Sequence, residues 1–462
     1  MKKTLVIMLL FVVFSWLSAS GQSLKQLEGI DFSQVQITDP FWKQKIELVV
    51  NQAIPACIHQ TETVTPRIRN FEKAARRAGE RHEGIYYDDS DVYKAIEAMA
   101  YALHTFPDQE LEKKADEWID KIVAAQLPDG YLFTYYTLNN LEERWTDMEK
   151  HEAYCAGHLI EAAVAYHRAT GKRKLLDAAI RFADHIDARF RLVGRPWVPG
   201  HQEIELALVK LYRETGNENY LELAEWFLDQ RGRGLARGRL WEKTSHPDYC
   251  QDQLPVREQI KITGHAVRAM YLYTGIADVA ALKNDASYLP AMRAVWEDVV
   301  HRNLYLTGGI GSSGRNEGFS RDYDLPNEEA YCETCASVGM VFWNQRMNWL
   351  SGESKYIDVL ERSLYNGALA GVALDGKKFF YANPPGFEGR ARAPRVVRHS
   401  LLSLQHFPAY KLPGQLHLRS ERRGSLDPPV HRQFPADLHR ANRAGPQHGI
   451  GPALAGPGAH QA

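Results

Sequence analysis

Apolar residues recur with helical periodicity from about Phe41 to Leu369, and this pattern restricts the possible fold classes more than any other feature of the sequence. Apolar residues recur at positions i, i+3, i+4 and i+7, whereas the alternation typical of β-strands is nearly absent. The helices that this pattern predicts are 91–104, 111–125, 158–168, 174–190, 203–215, 220–231, 262–273 and 356–369. The periodicity therefore predicts an all-α domain.

A weak internal repeat indicates how these helices are joined. A helix ends at a glycine in three places, Gly171, Gly216 and Gly352, and a second helix begins a few residues later. Glycine readily adopts the left-handed conformation that ends many helices. Repeated antiparallel helix pairs are typical of a solenoid or of a closed α/α toroid. Aromatic, acidic loops such as 126–132 favour the toroid, whose loops would form one carbohydrate-sized cleft.

The N-terminal residues predict export. Lys2 and Lys3 precede an apolar run at 5–17 and small residues at 19–21, a pattern typical of a secretory signal that is too short to span a bilayer. We therefore expect a signal peptide at residues 1–21 and a mature chain that begins near Gln22, in the periplasm or outside the cell. No later segment is apolar enough to predict a membrane span.

The composition of residues 385–462 differs from that of the helical body. This segment contains 10 of the 22 prolines and 11 Lys and Arg against four Asp and Glu, but no Cys, Met or Trp. We predict a disordered tail behind an α/α domain at residues 22–384, with a basic binding arm as the functional alternative. The net charge of −1 for the whole chain gives no reason to expect nucleic acid as a partner, and the oligomeric state is not indicated.

Residues 308–340 concentrate acids and thiols between a glycine-rich loop and an apolar helix. Glu317, Cys332, Glu333 and Cys335 are the residues there with the most obvious chemistry. The Cys-x-x-Cys spacing alone fits a redox pair, two buried thiols or half of a metal site, because a zinc site needs further ligands. Glu317 in a loop is a catalytic carboxylate, a helix cap or a solvated side chain.

Four histidines add to a predicted polar cleft. His151 and His158 are seven residues apart and share one helix face, while His201 precedes a helix and His265 begins one. The segment from Tyr86 to Asp91 supplies aromatic and acidic side chains of the kind that stack on sugars and bind their hydroxyls. We therefore expect a carbohydrate-binding cleft at one end of the toroid.

Six motifs in this order resemble glycoside hydrolase family 127, the β-L-arabinofuranosidase family. They are ITDPFW at 37–42, DSDVYK at 89–94, HEAYCAGH at 151–158, GHAVR at 264–268, NEGF at 316–319 and ETCAS at 333–337. The resemblance covers about residues 30–384. It implies an (α/α)6 toroid followed by β-sandwich domains, and a retaining, exo-acting enzyme that removes β-L-arabinofuranosyl residues from plant glycans.

The resemblance also implies roles for individual residues. Glu317 would be the general acid/base, and Glu333 and Cys335 would be zinc ligands. The sugar contacts would be His158 or His151, His201, His265, Tyr381 and Gln60. In the family a Cys-Cys-Pro motif completes the zinc site, and its first cysteine, activated as a thiolate, is the nucleophile. The expected partner is an arabinose-containing glycan.

The chain departs from the family at this last motif. No cysteine follows Cys335, although residues 379–384 still match the family pattern. One permitted set of codons for residues 396–406, read from the second base, encodes Trp-Phe-Asp-Thr-Ala-Cys-Cys-Pro-Ser-Asn, so we interpret the tail as the product of a frameshift near Pro384 or Pro385. A divergent C-terminus is the alternative interpretation.

This departure lowers the activity that we expect. With two of four zinc ligands the chain should bind zinc weakly or not at all and hydrolyse little or no substrate, and the β-sandwich domains of the family are not expected. The alternatives are a non-catalytic carbohydrate-binding protein, another α/α-toroid activity such as a lyase or unsaturated uronyl hydrolase, and a redox protein that uses Cys332 and Cys335.

Overall fold

The computed structural model describes residues 23–236 and 247–386. The predicted signal peptide at 1–21 and all but the first two residues of the predicted tail lie outside the described residues. The described part is helical, and its only β-type pairing consists of isolated bridges. The all-α prediction is therefore confirmed.

Fourteen α-helices occupy the described ranges. In chain order they are α1 Pro40–Leu48, α2 Ile54–His59, α3 Arg67–Arg76, α4 Asp88–Thr105, α5 Gln109–Ala125, α6 Thr134–Leu138, α7 Glu152–Thr170, α8 Lys174–Arg189, α9 Ile204–Thr215, α10 Glu218–Gln230, α11 Ala266–Lys283, α12 Leu289–Asp298, α13 Thr334–Ser351 and α14 Ser354–Ser363. A short π-helical turn at Val49–Ala53 joins α1 and α2 into one long helical segment, and a second π-helical turn at Gln60–Val64 extends it.

The helices form an α/α toroid of hairpins. Helices α4, α7, α9, α11 and α13 pack side by side as the inner ring, and each is followed by a helix of the outer layer. The inner helices are buried on nearly every side, whereas outer helices such as α5 and α8 bury one stripe. The long α1–α2 segment closes the ring, since α2 contacts α4 and the Trp42 ring lies 5.3 Å from the Tyr365 ring behind α14.

The predicted helix ends are confirmed at the repeat glycines and corrected elsewhere. Gly171, Gly216 and Gly352 end inner helices with φ values of 75°, 71° and 72°, in the left-handed region. The helix predicted at 262–273 instead begins at Ala266 and runs to Lys283, because Gly264 has a φ of 69° that cannot continue a helix. Among the described residues, no helix is both long and apolar enough to cross a bilayer.

A buried carboxyl holds the first turn of α7. Glu152 accepts the Tyr131 hydroxyl over 2.5 Å and the backbone N–H of Trp145 over 2.7 Å. Burial raises the pKa of Glu152 to about 8, because the side chain is removed from water. The folded protein therefore favours the protonated carboxyl at this position.

We expect Glu152→Gln to change how stability depends on pH. The raised pKa means that the contribution of Glu152 is complete below about pH 4.5 and is lost as the pH rises through about 8. Glutamine resembles the protonated acid, so the variant should lie within about 1 kcal/mol of the parent near pH 5 and exceed it in unfolding free energy by about 4 kcal/mol at pH 8. Urea unfolding at both pH values measures this, with the exposed Glu142→Gln as the control. A difference that does not vary with pH would contradict the assignment.

Candidate active site

The N-terminal ends of the inner helices bring three histidines together, which we call the histidine row: His151, His201 and His265. His151 precedes α7, His201 lies shortly before α9, and His265 caps α11. The ring centroids of His151 and His201 are 5.4 Å apart, and those of His201 and His265 are 5.6 Å apart. The three histidines are far apart in the sequence, so the closure of the toroid assembles the histidine row.

Hydrogen bonds define which nitrogen of His151 and His201 carries the proton. Nδ1 of His151 faces the carbonyl oxygen of Glu149, and Nδ1 of His201 is 2.8 Å from the carbonyl oxygen of Gln202. A carbonyl oxygen only accepts, so both Nδ1 atoms donate and both Nε2 atoms remain acceptors. Burial lowers the pKa of each ring well below its usual range and keeps it neutral.

His265 has the opposite tautomer and pairs with Glu317. Its Nδ1 accepts the backbone N–H groups of Val267 at 3.1 Å and Arg268 at 3.4 Å, so the proton lies on Nε2. That Nε2 is 3.0 Å from Oε2 of Glu317. The hydrogen bond from His265 lowers the pKa of Glu317, and burial lowers the pKa of His265. The resting pair is therefore a carboxylate beside a neutral imidazole.

The loop that carries Glu317 is bound to the start of α11. The backbone N–H of Ala266 donates to the carbonyl oxygen of Glu317 over 3.1 Å, and the N–H of Phe319 donates to that of Gly264 over 2.9 Å. Glu317 itself has a left-handed φ of 53°, which costs a non-glycine residue free energy. Such strain is common where a side chain is positioned for function.

The contact between this loop and α11 depends on a glycine. A Cβ at Gly318 would lie 1.8 Å from the carbonyl oxygen of Gly264. Gly318→Ala is therefore expected to push the Glu317 loop away from α11 and to lower the free energy of unfolding by about 3 kcal/mol or more. The control is Gly314→Ala in the same loop, whose Cβ would meet nothing closer than a Tyr331 ring carbon at 3.6 Å. Equal urea-unfolding midpoints for the two variants would contradict this packing.

A second acid lies at the start of α13. Glu333 is 3% exposed, and its carboxylate is hydrogen-bonded by the Cys335 thiol and the Tyr381 hydroxyl. Burial raises the pKa of Glu333 to about 7, and the two hydrogen bonds offset part of that rise. The segment with Tyr381 is held there because Thr334 donates its N–H to the Tyr381 carbonyl oxygen over 2.9 Å.

Glu333 and Cys335 supply only two of the donors that a zinc ion needs. Oε2 of Glu333 is buried without a hydrogen-bond partner among the described residues, which would suit a cation ligand. Zinc sites in proteins use at least three protein ligands. Residues 23–236 and 247–386 contain no group of three His, Cys, Asp or Glu side chains placed to hold a metal. The residues present here do not fit a zinc ion.

Cys332 and Cys335 are not bonded to each other. Cys332 packs with Tyr305 and Ala330 in a small separate cluster, whereas Cys335 belongs to the main core, and both thiols are free. Burial raises the pKa of Cys332 to about 12 and that of Cys335 well above its usual value. Neither thiol is therefore an activated thiolate of the kind that redox chemistry uses.

Two predicted sugar contacts lie away from the histidine row. His158 is two turns further along α7, where its Nδ1 is 3.4 Å from Oε1 of Glu203 and its ring packs on Tyr154. Gln60 is half-buried near the end of the α1–α2 segment, and the described contacts do not connect its side chain with the row. Of the pair His151 and His158, only His151 belongs to the row.

The acids at the start of α4 have internal partners. Asp91 is 2.7 Å from a guanidinium nitrogen of Arg67, and Asp89 accepts the hydroxyl and the backbone N–H of Thr134 at 2.6 and 2.7 Å. These carboxylates join neighbouring helices instead of presenting free oxygens for sugar hydroxyls. The aromatic residues of this segment lie where a sugar-stacking role would require them, because the ring of Tyr87 is 5.2 Å from that of His151.

Other residues near the histidine row were not predicted from the sequence. The Tyr331 hydroxyl is 3.4 Å from Oε1 of Glu317, and the Tyr249 and His265 ring centroids are 5.6 Å apart. Glu149 and Arg268 form a buried ion pair with a separation of 3.5 Å. An arginine within the apolar α11 sequence was the one available signal, since an isolated buried charge requires a partner.

The matching family model decides the family. It is described as beta-L-arabinofuranosidase, GH127 catalytic domain, and it matches residues 34–405. The chain belongs to glycoside hydrolase family 127. The matched range contains Glu317, Glu333, Cys335 and the whole histidine row.

Relatives within family 127 agree in sequence and in fold. A non-reducing end beta-L-arabinofuranosidase from Bifidobacterium longum subsp. longum is 39% identical over 391 residues, which is 76% of this chain and 59% of the relative. The solved structure of a GH127 beta-L-arabinofuranosidase from Geobacillus stearothermophilus T6 is 44% identical, with a TM-score of 0.75 and coverage of 83% of this chain and 64% of that one.

A third relative gives the same result. A solved GH127 beta-arabinofuranosidase is 41% identical, with a TM-score of 0.78 over 85% of this chain and 62% of its own. The chain thus spans about three fifths of the length of these family 127 relatives. The α/α toroid expected from the resemblance is confirmed by both structures.

Proposed function

We propose that the cleft beside the histidine row binds a terminal β-L-arabinofuranosyl residue, and that Glu317 is the general acid/base of a retaining glycosidase site. The Glu317–His265 pair, with its 3.0 Å contact next to two neutral imidazoles, is the observation that carries this proposal. Family membership and the name of the Bifidobacterium relative support the choice of sugar.

The polar groups of the cleft suit the hydroxyls of a neutral sugar. Nε2 of His151 and Nε2 of His201 are uncharged acceptors, and Glu333 contributes a buried carboxylate oxygen without a partner. Several inner helices begin here, and the positive ends of their dipoles favour nearby carboxylates. A site of this composition orients a sugar through hydrogen bonds that would be costly to leave unmade.

Glu317 has two proton-transfer tasks in the proposed reaction. It first protonates the leaving glycosidic oxygen, and it then removes a proton from the water that completes hydrolysis. The hydrogen bond from His265 keeps the resting carboxyl ionised, which is the form that the second task requires. A bound sugar that excludes water would raise the pKa of Glu317 toward the protonated form that the first task requires.

The nucleophile of this reaction is the missing part. No cysteine follows Cys335 in the sequence, and the Cys335 thiol is buried against Glu333 with a raised pKa. We propose that the chain with the sequence printed above, called the printed chain below, binds the sugar but hydrolyses little of it and holds little zinc. A shift of reading frame near residues 384–385 would account for the loss of the Cys-Cys-Pro motif.

Residues 1–21 support a further proposal, export through a signal peptide. Cleavage after Gly21 would give an exported chain that begins at Gln22. Intact-mass measurement of chain expressed with its own N-terminus and recovered outside the cytoplasm is expected to show this loss. An uncleaved chain that remains inside the cell would reject the proposal.

Thermal stabilisation by sugars tests the proposed specificity. A ligand that binds only the folded chain raises its unfolding free energy by about 2.7 kcal/mol at 100 times its Kd. Methyl β-L-arabinofuranoside should therefore raise Tm by several degrees, and its D-enantiomer should not. Equal shifts for both sugars, or none for either, would reject the proposed substrate class. Binding without arabinose release is the result expected of a chain without its nucleophile. If a chain with the cysteine pair restored also binds the sugar and releases no arabinose, the alternative function, a non-catalytic carbohydrate-binding protein, is favoured.

A further inference from the structure

Arg268 connects three loops of the cleft from within an apolar helix. One guanidinium nitrogen donates to the carbonyl oxygen of Gly200, in the loop before α9. The other is 3.5 Å from Oε1 of Glu149, in the loop before α7, and the guanidinium lies 4.7 Å from the Tyr249 ring centre. Because His265 is only three residues earlier in the chain, this one side chain links the elements that carry the whole histidine row.

Glu149 has one carboxylate oxygen without a partner. The residue is 5% exposed, and its Oε1 lies 3.5 Å from both Arg268 and the Tyr86 hydroxyl. Its Oε2 is buried and makes no hydrogen bond to any described residue. A buried carboxylate oxygen that no protein group satisfies is rare and calls for a ligand or an ordered water.

The position of Glu149 places that oxygen at the sugar site. The carbonyl oxygen of the same residue accepts Nδ1 of His151, so Glu149 and His151 are held together. The Tyr86 ring packs against the His151 ring at 5.4 Å, and its hydroxyl faces the Glu149 carboxylate. The free oxygen therefore lies beside the histidine row, among groups that already suit a polyhydroxylated ligand.

We propose that Oε2 of Glu149 accepts a hydrogen bond from one hydroxyl of the bound furanose, and that Arg268 is the positioning residue that orients this carboxylate. The inference rests on the proposed function, because it assigns a further contact within the same site. It makes Glu149 a specificity-determining residue that discriminates against sugars lacking that hydroxyl, since a deoxy analogue would leave the buried oxygen unpaired.

Deoxy sugars provide a test that a purely structural role would not pass. Isothermal titration calorimetry would measure Kd for methyl β-L-arabinofuranoside and for its 2-, 3- and 5-deoxy derivatives. For the parent chain, removal of one particular hydroxyl is expected to weaken binding by about 10-fold or more, as for a hydrogen bond to a charged group. In Glu149→Gln the carbonyl oxygen would face Arg268, so an amide donor would replace the acceptor. The deoxy penalty, meaning the factor by which removal of that hydroxyl increases Kd, should then fall below about threefold for that one sugar.

Two further variants separate positioning from general stability. Arg268→Lys keeps the charge but loses the planar fork, so it should weaken binding of the full sugar and reduce the same deoxy penalty. Asp278→Asn is the matched control, because Asp278 forms a buried 3.3 Å ion pair with Arg346 at the other end of α11. This control should lower Tm, but the ratio of the Kd of each deoxy sugar to the Kd of the full sugar should stay unchanged.

The outcomes distinguish this inference from the proposed function. If the parent binds the sugar and Glu149→Gln leaves every deoxy penalty unchanged, the role of Glu149 is refuted and the proposed function stands; Oε2 then serves only an ordered water. If the parent binds none of the four sugars, the proposed function fails and the inference fails with it.

Discussion

Restoring the cysteine pair is expected to raise hydrolysis of p-nitrophenyl β-L-arabinofuranoside by about 10³-fold or more over the printed chain. The restored chain would be re-encoded from residue 385 in the shifted frame, so that Trp-Phe-Asp-Thr-Ala-Cys-Cys-Pro-Ser-Asn replaces the residues from Val396 onward. Enzymes that use a covalent intermediate lose several orders of magnitude in kcat without their nucleophile. Initial rates of both chains, measured side by side, give the ratio.

The same pair of chains should differ in zinc content. Elemental analysis is expected to find about one zinc per restored chain, because two added thiolates would complete a four-ligand site with Glu333 and Cys335. The printed chain should retain far less after dialysis. Changing both restored cysteines to alanine is the control and should return rate and zinc content to the values of the printed chain. Comparable hydrolysis by the printed chain would contradict the proposed loss of function.

Glu317→Gln in the restored chain is expected to lower hydrolysis by about 10²- to 10⁴-fold, the usual contribution of a positioned acid/base group. Glutamine can still accept Nε2–H of His265, so the loop should stay in place and sugar affinity should change little. The effect should be larger for an arabinosyl disaccharide than for the p-nitrophenyl glycoside, because p-nitrophenolate leaves without protonation. This dependence on the leaving group identifies the acid step.

A matched control for this prediction lies eleven residues away. Glu328 is an exposed carboxylate of the same acidic stretch, and Glu328→Gln should leave both rates within about twofold. If Glu317→Gln had no greater effect than Glu328→Gln, or lowered kcat/KM equally for both leaving groups, Glu317 would not be the general acid.

Local sequence signals predicted most of the fold. Amphipathic periodicity identified the helix pairs, and the glycines at 171, 216 and 352 marked the ends of inner helices because their left-handed conformation is a local property. The start of α11 was missed by four residues because the apolar pattern continues through Ile262, whereas the φ of Gly264 ends any helix there. Periodicity reports burial, and it does not report backbone conformation.

The site was less accessible from local signals. Glu333 and Cys335 are neighbours in sequence, so their proximity could be predicted, but the contact of His265 with His201 exists only because the inner ring closes. The acids at 89 and 91 looked like sugar ligands because nothing local revealed that Arg67 and Thr134 would meet them. Long-range pairing of buried charges is a property of the toroid and not of any motif.

Calorimetric titration of the printed chain with methyl β-L-arabinofuranoside tests directly whether an intact sugar site is combined with a missing nucleophile. We expect saturable binding of one sugar per chain, and chromatography of the cell contents afterwards should detect no more free arabinose than a protein-free control. Absence of binding would contradict the proposed site. Catalytic release of arabinose by this chain would contradict the missing nucleophile.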